Sequence, residues 1–389
     1  MGTNCNALRV LQIISGNRYF GGISALLYNV YSHIDREQVQ FDFLYPYIST
    51  NGIYKEKIET MGGRVYELGI TGNKVDRKAK LYPGIRQFLK EHPYEVVHIN
   101  SGNLLFNLIV SKAARDAGIG TIIVHSHNAD AANESKLKQR AIGALKPLLD
   151  RQLTARFACS DEAARHMFTE KAVAGNGVTV VRNGIEVQRF LYDEQARGEV
   201  RRRLGIENKH VVGHIGRFCP QKNQVFLIRV FARLAETDQD AVLVLIGDGE
   251  TQEMDRITSQ IKQLNLRGKV ICLGTQTDVE RYYQAFDAFA FPSAWEGLGM
   301  VLVEAQVSGL HCVASEAVPR AADVTGNVAY LPIGEGDVDL WVEALRKTMT
   351  FDRASHDREA AAAGYDIDSV ATGLLRRYLS MTETGAGTE

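Results

Sequence analysis

Two glutamates, Glu296 and Glu304, bracket a stretch of otherwise apolar residues and glycine, WEGLGMVLVE. Glutamate is rarely buried without a partner, so this placement calls for a function. The pattern predicts a loop over 294–299 and an apolar helix that begins at Met300. Both carboxylates can then face one crevice, with the backbone N–H groups of 298–301 between them. Carboxylates suit ligand hydroxyls and a helix start suits phosphate, so a ligand with a sugar at one end, a ribose at the other and a diphosphate between them would fit.

A second candidate group follows the strand predicted at 211–215, in the motif GRFCPQKN. Gly216 and Arg217 open this loop, and Lys222 precedes the next helix. Guanidinium and ammonium groups are those that hold a diphosphate, so Arg217 and Lys222 can converge on one anion. The alternative is a pair of solvated surface cations.

Glycines mark two further strand ends. Gly21 and Gly22 open the helix after the first strand, where backbone N–H groups can meet an anion at the positive end of the helix dipole. A simple tight turn is an equally good explanation, and the chain contains neither GxGxxG nor GxxxxGK[ST]. In the loop Gly274, Thr275 and Gln276, backbone groups can contact the edge of a base.

A polar cluster, His125-Ser126-His127-Asn128, leaves the apolar strand TIIVHSH at its carboxyl end. A lone histidine in such a place is usually structural, but a cluster favours a site. His127 lies further out of the strand than His125 and is therefore the stronger candidate.

The elements that must position these residues are short apolar strands that alternate with helical patterns, which is typical of parallel sheets covered on both faces. Two series are present, and a turn at 183–185 separates them, so the sequence predicts two doubly wound domains. Ligands of such sheets bind at the carboxyl ends of the strands. The predicted strands are 8–14, 96–100, 121–127, 155–160 and 178–182, then 211–215, 241–246, 269–273, 288–291, 311–315 and 328–331.

Composition excludes several classes of function. The 389 residues carry a formal net charge of -1, which argues against a nucleic-acid partner. Five scattered cysteines without a CxxC motif fit reduced thiols, so we expect neither a disulfide framework nor a zinc site. The first thirty residues lack a signal-peptide pattern and no apolar run is long enough to span a bilayer, so we expect a cytoplasmic protein that can still lie on the inner face of a membrane.

Taken together, GRFCPQKN, LIGDG, the upstream VRNGI and the block DVERYYQAFDAFAFPSAWEGLGMVLVEAQVSG resemble the retaining GT-B glycosyltransferases of family 4, and among them the capsule and exopolysaccharide branch of bacterial enzymes. The resemblance covers almost the whole chain and is strongest from about 155 to 335. It implies a GT-B fold of two Rossmann-like domains that face a central cleft, with 1–185 on the acceptor side and 186–360 on the donor side. Residues 361–389 are expected to form a helix that crosses back to the N-terminal domain, followed by a disordered tail.

The resemblance also implies roles for residues that match its motifs. Glu296 matches the glutamate that contacts donor-sugar hydroxyls, and Glu304 the one that accepts from the ribose hydroxyls. Arg217 and Lys222 match the pair that binds the donor diphosphate. The donor site implied in this way contains, in chain order, Gly21 or Gly22, Gly216, Arg217, Lys222, Gly274, Thr275, Gln276, Glu296, Gly297, Leu298, Gly299, Met300, Val301 and Glu304.

On the acceptor side, His127 matches the family histidine beside the anomeric centre, with His125 as its competitor and Asn128 as a neighbour. The activity implied is retaining transfer of a hexose or an N-acetylhexosamine from a UDP-sugar to an acceptor hydroxyl, with UDP-sugar as co-substrate and no cofactor. No carboxylate is evidently placed as a nucleophile, which favours attack on the same face as the leaving group. A UDP-sugar epimerase and a non-catalytic UDP-sugar binder remain alternatives.

The acceptor is not specified by the sequence. The segment 133–152 carries five Lys/Arg against Glu134 and Asp150, and its apolar residues recur at helical spacing. Such a helix can lie on an anionic leaflet, which would suit a lipid-linked glycan acceptor. A helix that packs on its own domain fits the pattern equally well, and a soluble small-molecule acceptor then becomes the better hypothesis.

The sequence also predicts that no metal takes part in the reaction. Its three DxD triplets begin at Asp238, Asp337 and Asp366, and each has the pattern of a turn or a helix end rather than of a strand end. We therefore expect turnover to be unchanged when a chelator removes divalent cations. Strict dependence of the rate on added magnesium would contradict this prediction.

Overall fold

The computed structural model describes residues 7–15, 22–47, 53–127 and 136–383. The chain forms two compact units. The first unit comprises Met1–Ile185 with Gly364–Glu389, and the second unit comprises Glu186–Ala363.

The first unit contains a seven-stranded parallel sheet in the order β3-β2-β1-β4-β5-β6-β7. The order changes direction between β1 and β4, which places a topological switch point there. The strands are β1 (Leu8–Ile14), β2 (Val39–Tyr47), β3 (Val65–Ile70), β4 (Val96–Asn100), β5 (Thr121–Ser126), β6 (Ala155–Ala158) and β7 (Thr179–Val180).

Helices cover both faces of this sheet. Successive residues of β1 show this directly, since Val10 belongs to one apolar cluster and Leu11 to the other. The helices of the unit are α1 (Gly22–His33), α2 (Ile53–Thr60), α3 (Lys74–Glu91), α4 (Leu104–Asp116), α5 (Lys136–Asp150), α6 (Asp161–Met167), α7 (Glu170–Ala174) and, from the end of the chain, α16 (Ile367–Glu383).

The second unit contains a six-stranded parallel sheet in the order β10-β9-β8-β11-β12-β13. Its switch point lies between β8 and β11. The strands are β8 (His210–Ile215), β9 (Ala241–Ile246), β10 (Val270–Cys272), β11 (Ala288–Phe291), β12 (Cys312–Ser315) and β13 (Val328–Leu331).

The helices of the second unit pack a core that includes Phe226, Phe231 and Trp341. Of the helices in the described ranges of the whole chain, none is both long and apolar enough to cross a membrane. The helices of the unit are α8 (Val187–Phe190), α9 (Glu194–Leu204), α10 (Gln224–Ala235), α11 (Thr251–Gln263), α12 (Val279–Ala285), α13 (Met300–Val307), α14 (Val338–Thr348) and α15 (Asp357–Ala362).

The two doubly wound parallel sheets confirm the predicted fold class, but the predicted strand series was incomplete. It omitted β2, in which Pro46 interrupts the pattern near the end, and the edge strand β3, whose residues are mostly half-buried or exposed. It also made β5 one residue too long, because His127 lies beyond the last paired residue. The second domain was predicted to end at residue 360, which lies inside α15. In the structure the second unit ends at Ala363.

Part of the apolar face of α5 packs on its own unit. Leu149 is fully buried, and Ile142 and Leu145 contact the same core, whereas Leu148 remains 46% exposed. Residues 133–135 of the predicted amphipathic segment lie outside the described residues. Ile142, Leu145 and Leu149 of α5 therefore contribute to the core of the first unit.

The glycines of LIGDG allow the chain after β8 to continue beside the chain after β9. Gly216 N–H donates to Ile246 O at 2.9 Å and Phe218 N–H donates to Asp248 O at 2.8 Å. A Cβ on Gly247 would lie 2.0 Å from the Gly216 carbonyl oxygen, and Gly247 has a φ of 143°. A Cβ on Gly249 would lie 2.3 Å from the Phe218 carbonyl oxygen. These glycines are thus required by backbone approach.

We predict that Gly247→Ala destabilises the second unit by about 2–4 kcal/mol, because the new methyl group overlaps the Gly216 carbonyl and the backbone angle disfavours a side chain. Both tryptophans of the chain, Trp295 and Trp341, lie in this unit. Urea unfolding followed by tryptophan fluorescence therefore reports on it alone.

The matched control is Gly198→Ala in α9, where no atom other than those of its chain neighbours and its own helix backbone lies within 4 Å of the new Cβ. A helix-interior Gly→Ala change of this kind is neutral or stabilising by up to about 1 kcal/mol. Equal unfolding midpoints for Gly247→Ala and wild type would contradict the prediction.

Candidate active site

The two predicted loops of the second unit follow the strands on either side of its switch point. GRFCPQKN follows β8 and PSAWEGLG follows β11, and β8 and β11 are paired neighbours. The carboxyl ends of parallel strands lie at the same edge of the sheet, so the two loops meet there. The strand order thus brings together residues that are about 75 positions apart in the chain.

Three contacts join these loops. Ala294 N–H donates to Gln221 O at 2.7 Å, and Gln221 Nε2 donates to Trp295 O at 2.9 Å. Lys222 Nζ lies 2.5 Å from Glu296 Oε1. The predicted diphosphate cation and the predicted sugar-binding carboxylate are therefore paired with each other.

Little water reaches this charge pair. The side chains of Lys222 and Glu296 are 15% and 7% exposed. Lys222 Nζ also lies 4.8 Å from the centroid of the Phe291 ring, a cation–π distance. Breaking such a pair leaves an uncompensated charge with little solvent, which costs more than the loss of a surface ion pair.

The loop after β8 is braced from beneath by His214 and Gln224. His214 is buried, and burial lowers its pKa to about 4, so the ring is neutral at pH 7. Its Nδ1 donates to Ala290 O at 2.9 Å, which leaves Nε2 to accept from Gln224 Nε2 at 3.2 Å. Gln224 Nε2 also donates to Arg217 O at 3.0 Å. The backbone of Arg217 is therefore held, while its side chain is exposed.

The start of α13 is shaped by Gly299. This residue has a φ of 87°, and a Cβ there would lie 2.9 Å from Phe291 Cε1. No side chain caps the first turn of α13 within the described ranges. Uncapped N–H groups at a helix start are suited to an anion. Gly297 and Leu298, which precede this turn, are buried, whereas Met300 and Val301 keep some accessible surface.

Glu304 lies one turn inside α13 and is paired with a tyrosine. Tyr283 Oη lies 2.8 Å from Glu304 Oε2 and 3.2 Å from Val301 O, so the carboxylate is its nearer acceptor. Burial raises the pKa of Glu304 to about 7, although the hydrogen bond from Tyr283 lowers it. Glu280 raises this pKa further, while Arg189 and Lys222 lower it. Near pH 7 the carboxyl group is thus poised between its two protonation states.

Tyr283 belongs to α12, whose carboxyl end is held by arginines. Cations at this end of a helix compensate the exposed carbonyl groups. Arg353 is partly buried there, and burial lowers its pKa to about 9. The contacts are Arg197 and Arg353 to Gln284 O and Phe286 O, and Arg201 to Ala285 O.

The loop predicted to read a base lies after β10. Gly274 O accepts from Gly247 N–H at 2.9 Å. Gln276 Nε2 donates to Leu273 O at 2.7 Å, and its Oε1 accepts from Tyr282 Oη at 2.9 Å. The side chain of Gln276 therefore braces the loop, and the exposed Thr275 offers the accessible polar group.

In the first unit, His125 and His127 lie together at the end of β5. Their ring centroids are 4.0 Å apart, and the His98 ring stacks on His125 at 5.5 Å. His125 is buried, whereas His127 keeps part of its surface accessible and contacts Asn100 Oδ1 through Nε2 at 3.0 Å. Burial lowers the pKa of all three imidazoles, that of His127 to about 3, so they are neutral at pH 7.

Three of the predicted positions have limited or no description. Gly21 and Asn128 lie outside the described residues, and Gly22 is the first residue of α1.

The DxD triplets take part in local structure. Asp337 Oδ2 accepts from Gly334 N–H at 2.6 Å, which closes a turn before α14. The other carboxylates form ion pairs or a helix-start contact: Asp238 with His210, Asp240 with Lys209, Asp339 with Arg233, Asp368 with His33, and Asp366 with Ser369.

Sequence reasoning missed three residues that organise the site. Gln221 lies inside the motif GRFCPQKN, and Tyr283 lies inside the segment DVERYYQAF. The motifs could therefore have indicated both residues. Asn100 ends the strand VVHIN, and a polar residue at the carboxyl end of an apolar strand was the available signal.

The family model "Glycosyl transferases group 1" matches residues 196–364, and the model "Glycosyl transferase 4-like domain" matches residues 21–184. EpsF of Bacillus subtilis (strain 168), whose name assigns it to the glycosyltransferases, is 32% identical over 388 residues and covers 98% of each chain. The chain belongs to the group 1 glycosyltransferases.

Two further proteins are similar to this group 1 glycosyltransferase. An Escherichia coli protein named UDP-Gal:alpha-D-GlcNAc-diphosphoundecaprenol alpha-1,3-galactosyltransferase is 27% identical over 265 residues, 67% of each chain. The crystal structure of Anabaena Alr3699/HepE in complex with UDP-glucose aligns with a TM-score of 0.74 at 22% identity and covers 96% of this chain and 99% of that one. The structural likeness shows the GT-B fold.

We predict that Glu304→Gln changes the pH dependence of the second unit's stability. The pKa of Glu304 lies above its ordinary value of 4.5 in the folded protein, so the wild type loses stability as pH rises from 4.5 through about 7. The glutamine variant does not titrate there. Relative to wild type it should therefore gain about 1–3 kcal/mol between pH 5 and pH 8.

The measurement is urea unfolding by tryptophan fluorescence at several pH values. Exposed Glu343→Gln in α14 controls for the removal of one negative charge. Parallel stability curves for Glu304→Gln and wild type from pH 5 to 8 would contradict the assignment.

Proposed function

We propose that this group 1 glycosyltransferase transfers a hexose or N-acetylhexosamine from a UDP-sugar to an acceptor hydroxyl with retention at the anomeric carbon. The observation that carries the proposal is the Lys222–Glu296 pair beside the uncapped start of α13. A cation, a carboxylate and free backbone donors at one switch point match the diphosphate and the hydroxyls of a nucleotide sugar.

Lys222 can contact Glu296 and the diphosphate at the same time. Lysine has three N–H donors, so Lys222 can keep its bond to Glu296 and still donate to a phosphate oxygen. Glu296 in turn holds the ammonium group in place and accepts from sugar hydroxyls. Arg217, whose side chain is exposed and whose backbone is held, closes on the same anion.

Glu304 takes the ribose in this proposal. Its carboxylate is held by Tyr283 through one oxygen, which leaves acceptor capacity for two ligand hydroxyls. The rise of its pKa reflects burial, and a hydroxyl donor in this place compensates for lost water.

Catalysis then depends on stabilisation of the leaving group. Negative charge grows on the departing diphosphate as the glycosidic bond breaks, and Arg217, Lys222 and the start of α13 stabilise it there. The acceptor hydroxyl attacks from the same face, and its proton passes to the leaving phosphate oxygen. His127 is neutral and acts as a hydrogen-bond partner. No metal takes part.

Two relatives support a UDP-sugar donor. The E. coli protein is named for UDP-Gal, and the HepE structure contains UDP-glucose. For the acceptor, the diphosphoundecaprenol in the E. coli name supports a lipid-linked glycan, which a chain bound to the inner face of the membrane could reach.

A soluble acceptor is the second candidate. Proteins named D-inositol 3-phosphate glycosyltransferase also match, for example that of Salinispora arenicola (strain CNS-205), 31% identical over 219 residues. The packing of Leu149 and its neighbours into the core of the first unit also removes part of the apolar face of α5 from any membrane contact.

The two glutamates give a test, because the proposal assigns them different ends of the donor. Glu304→Ala should weaken UDP binding at least about tenfold, the usual effect of losing hydrogen bonds to a charged group. Glu296→Gln keeps an oxygen that accepts from Lys222, so it should leave UDP affinity within about threefold but lower sugar transfer about tenfold or more. Calorimetry with UDP and product analysis with a panel of UDP-sugars measure the two effects.

Glu335→Ala serves as the control, since this glutamate is 91% exposed and pairs only with Arg229 among the described residues. Equal UDP affinity of Glu304→Ala and wild type would remove the ribose role. Conversion of a UDP-sugar into its epimer without acceptor would replace the transferase by an epimerase, and UDP-sugar binding without any turnover would leave a binding protein.

A further inference from the structure

We propose that Asn100 is a positioning residue that fixes His127 as the tautomer with hydrogen on Nε2, and that a buried chain from Asn100 through Gln12 to Tyr378 of α16 holds Asn100 itself. His127 then presents Nδ1 as a hydrogen-bond acceptor for a substrate hydroxyl. This rests on the proposed function only for the identity of the substrate.

The direction of the chain is fixed by a backbone carbonyl, which can only accept. Asn100 lies 3.1 Å from His98 O, so the atom in contact is its Nδ2. The same Nδ2 donates its other hydrogen to Gln12 Oε1 at 2.9 Å. Both amide hydrogens of Asn100 are used, and its Oδ1 is left to face His127 Nε2 at 3.0 Å. Since Oδ1 can only accept, His127 Nε2 must carry the hydrogen.

The rest of the chain follows from the same argument. Gln12 Oε1 accepts from Asn100, so Gln12 Nε2 is the atom that donates to Tyr378 Oη at 3.3 Å. Tyr378 therefore directs its own hydrogen to His98 Nδ1 at 2.7 Å. Gln12, His98, Asn100 and Tyr378 are fully buried, so water does not compete for these bonds.

The Nδ1 of His127 has no hydrogen-bond partner in the part of the chain that the structure describes, although this atom is buried. A buried nitrogen lone pair without a partner is unfavourable, and a hydroxyl donor relieves this. Burial also lowers the pKa of His127 to about 3, so Nδ1 remains an acceptor at pH 7. His127 Nδ1 therefore accepts a hydrogen bond from a ligand hydroxyl and does not act as an acid.

The neighbouring groups are consistent with a neutral ring. His125 packs at 4.0 Å between ring centroids and His98 stacks beyond it, and both are neutral because burial lowers their pKa values. Asn100, Gln12 and Tyr378 add no charge. A proton on His127 would thus have no carboxylate partner among these contacts.

The first test reads the tautomer directly and needs no substrate. Long-range proton–nitrogen correlation spectra of the full-length protein with labelled histidine distinguish Nε2–H from Nδ1–H imidazoles. The chain has ten histidines, and the signal that disappears in His127→Gln identifies His127. We expect Nε2–H at pH 7, and Nδ1–H or imidazolium would overturn the proposal.

The second test asks what holds the tautomer. Asn100→Ala should convert His127 to a mixture of tautomers and lower turnover about tenfold to a hundredfold, the range that applies when a metal-bound histidine loses the partner that orients its ring. Tyr378→Phe, which keeps the ring and removes one hydroxyl, should lower turnover about twofold to tenfold. Affinity for UDP should stay unchanged in both variants.

Matched controls separate positioning from packing. Asn107→Ala removes a buried amide that donates to Ser101 O, and Tyr31→Phe removes a buried hydroxyl that contacts Gln40. Neither residue contacts the chain to His127, so both variants should keep the wild-type tautomer and turnover. Equal losses in these controls, or an unchanged His127 signal in Asn100→Ala, would overturn the proposal.

The outcomes also separate this inference from the proposed function. An Nε2–H tautomer that depends on Asn100, in a protein that transfers no sugar, would support the positioning chain and contradict the transferase. Sugar transfer by a protein whose His127 is an Nδ1–H tautomer would do the reverse.

Discussion

The pairing of Lys222 with Glu296 is the contact on which the candidate site of the second unit depends. Two charges with 15% and 7% exposed side chains are stable only if each has its partner in place. That requires the loops after β8 and β11 to be held in register, which the two bonds of Gln221 and the His214–Gln224 brace achieve. The strand order therefore places the two loops side by side, the loop contacts hold them there, and the charge pair depends on both.

Three glycines of this unit are required by contacts within the protein itself. Gly247 and Gly249 allow one chain segment to pair with another, and Gly299 leaves room for the Phe291 ring. A side chain at any of the three would collide with protein atoms whether or not a ligand is bound. Gly247, Gly249 and Gly299 are thus explained by packing within the protein, and they are weaker evidence for phosphate contact than their motifs suggest.

The sequence predicted what depends on local pattern and missed what depends on distant contacts. Apolar runs predicted most strands and the two doubly wound sheets, and the two glutamates at the ends of one apolar stretch indicated a site at the loop after β11. Edge strand β3 was missed because its residues are only partly buried, which weakens the apolar signal. The link from Tyr378 to Gln12 spans 366 positions, and no local pattern reports it. Motif resemblance named Lys222 and Glu296 separately, but only coordinates show that they form a pair.

Glu304 illustrates how the protein's own groups and a ligand compete to set one protonation state. Burial favours the neutral carboxyl group, while the hydroxyl of Tyr283 favours the ionised one, and the balance leaves a pKa of about 7. A ligand hydroxyl that donates to the same carboxylate acts in the same direction as Tyr283. Binding of such a ligand and loss of the proton are therefore linked, and each strengthens the other. A carboxylate fixed by one tyrosine and short of further donors is thus a better receptor for a diol than one already satisfied by the protein.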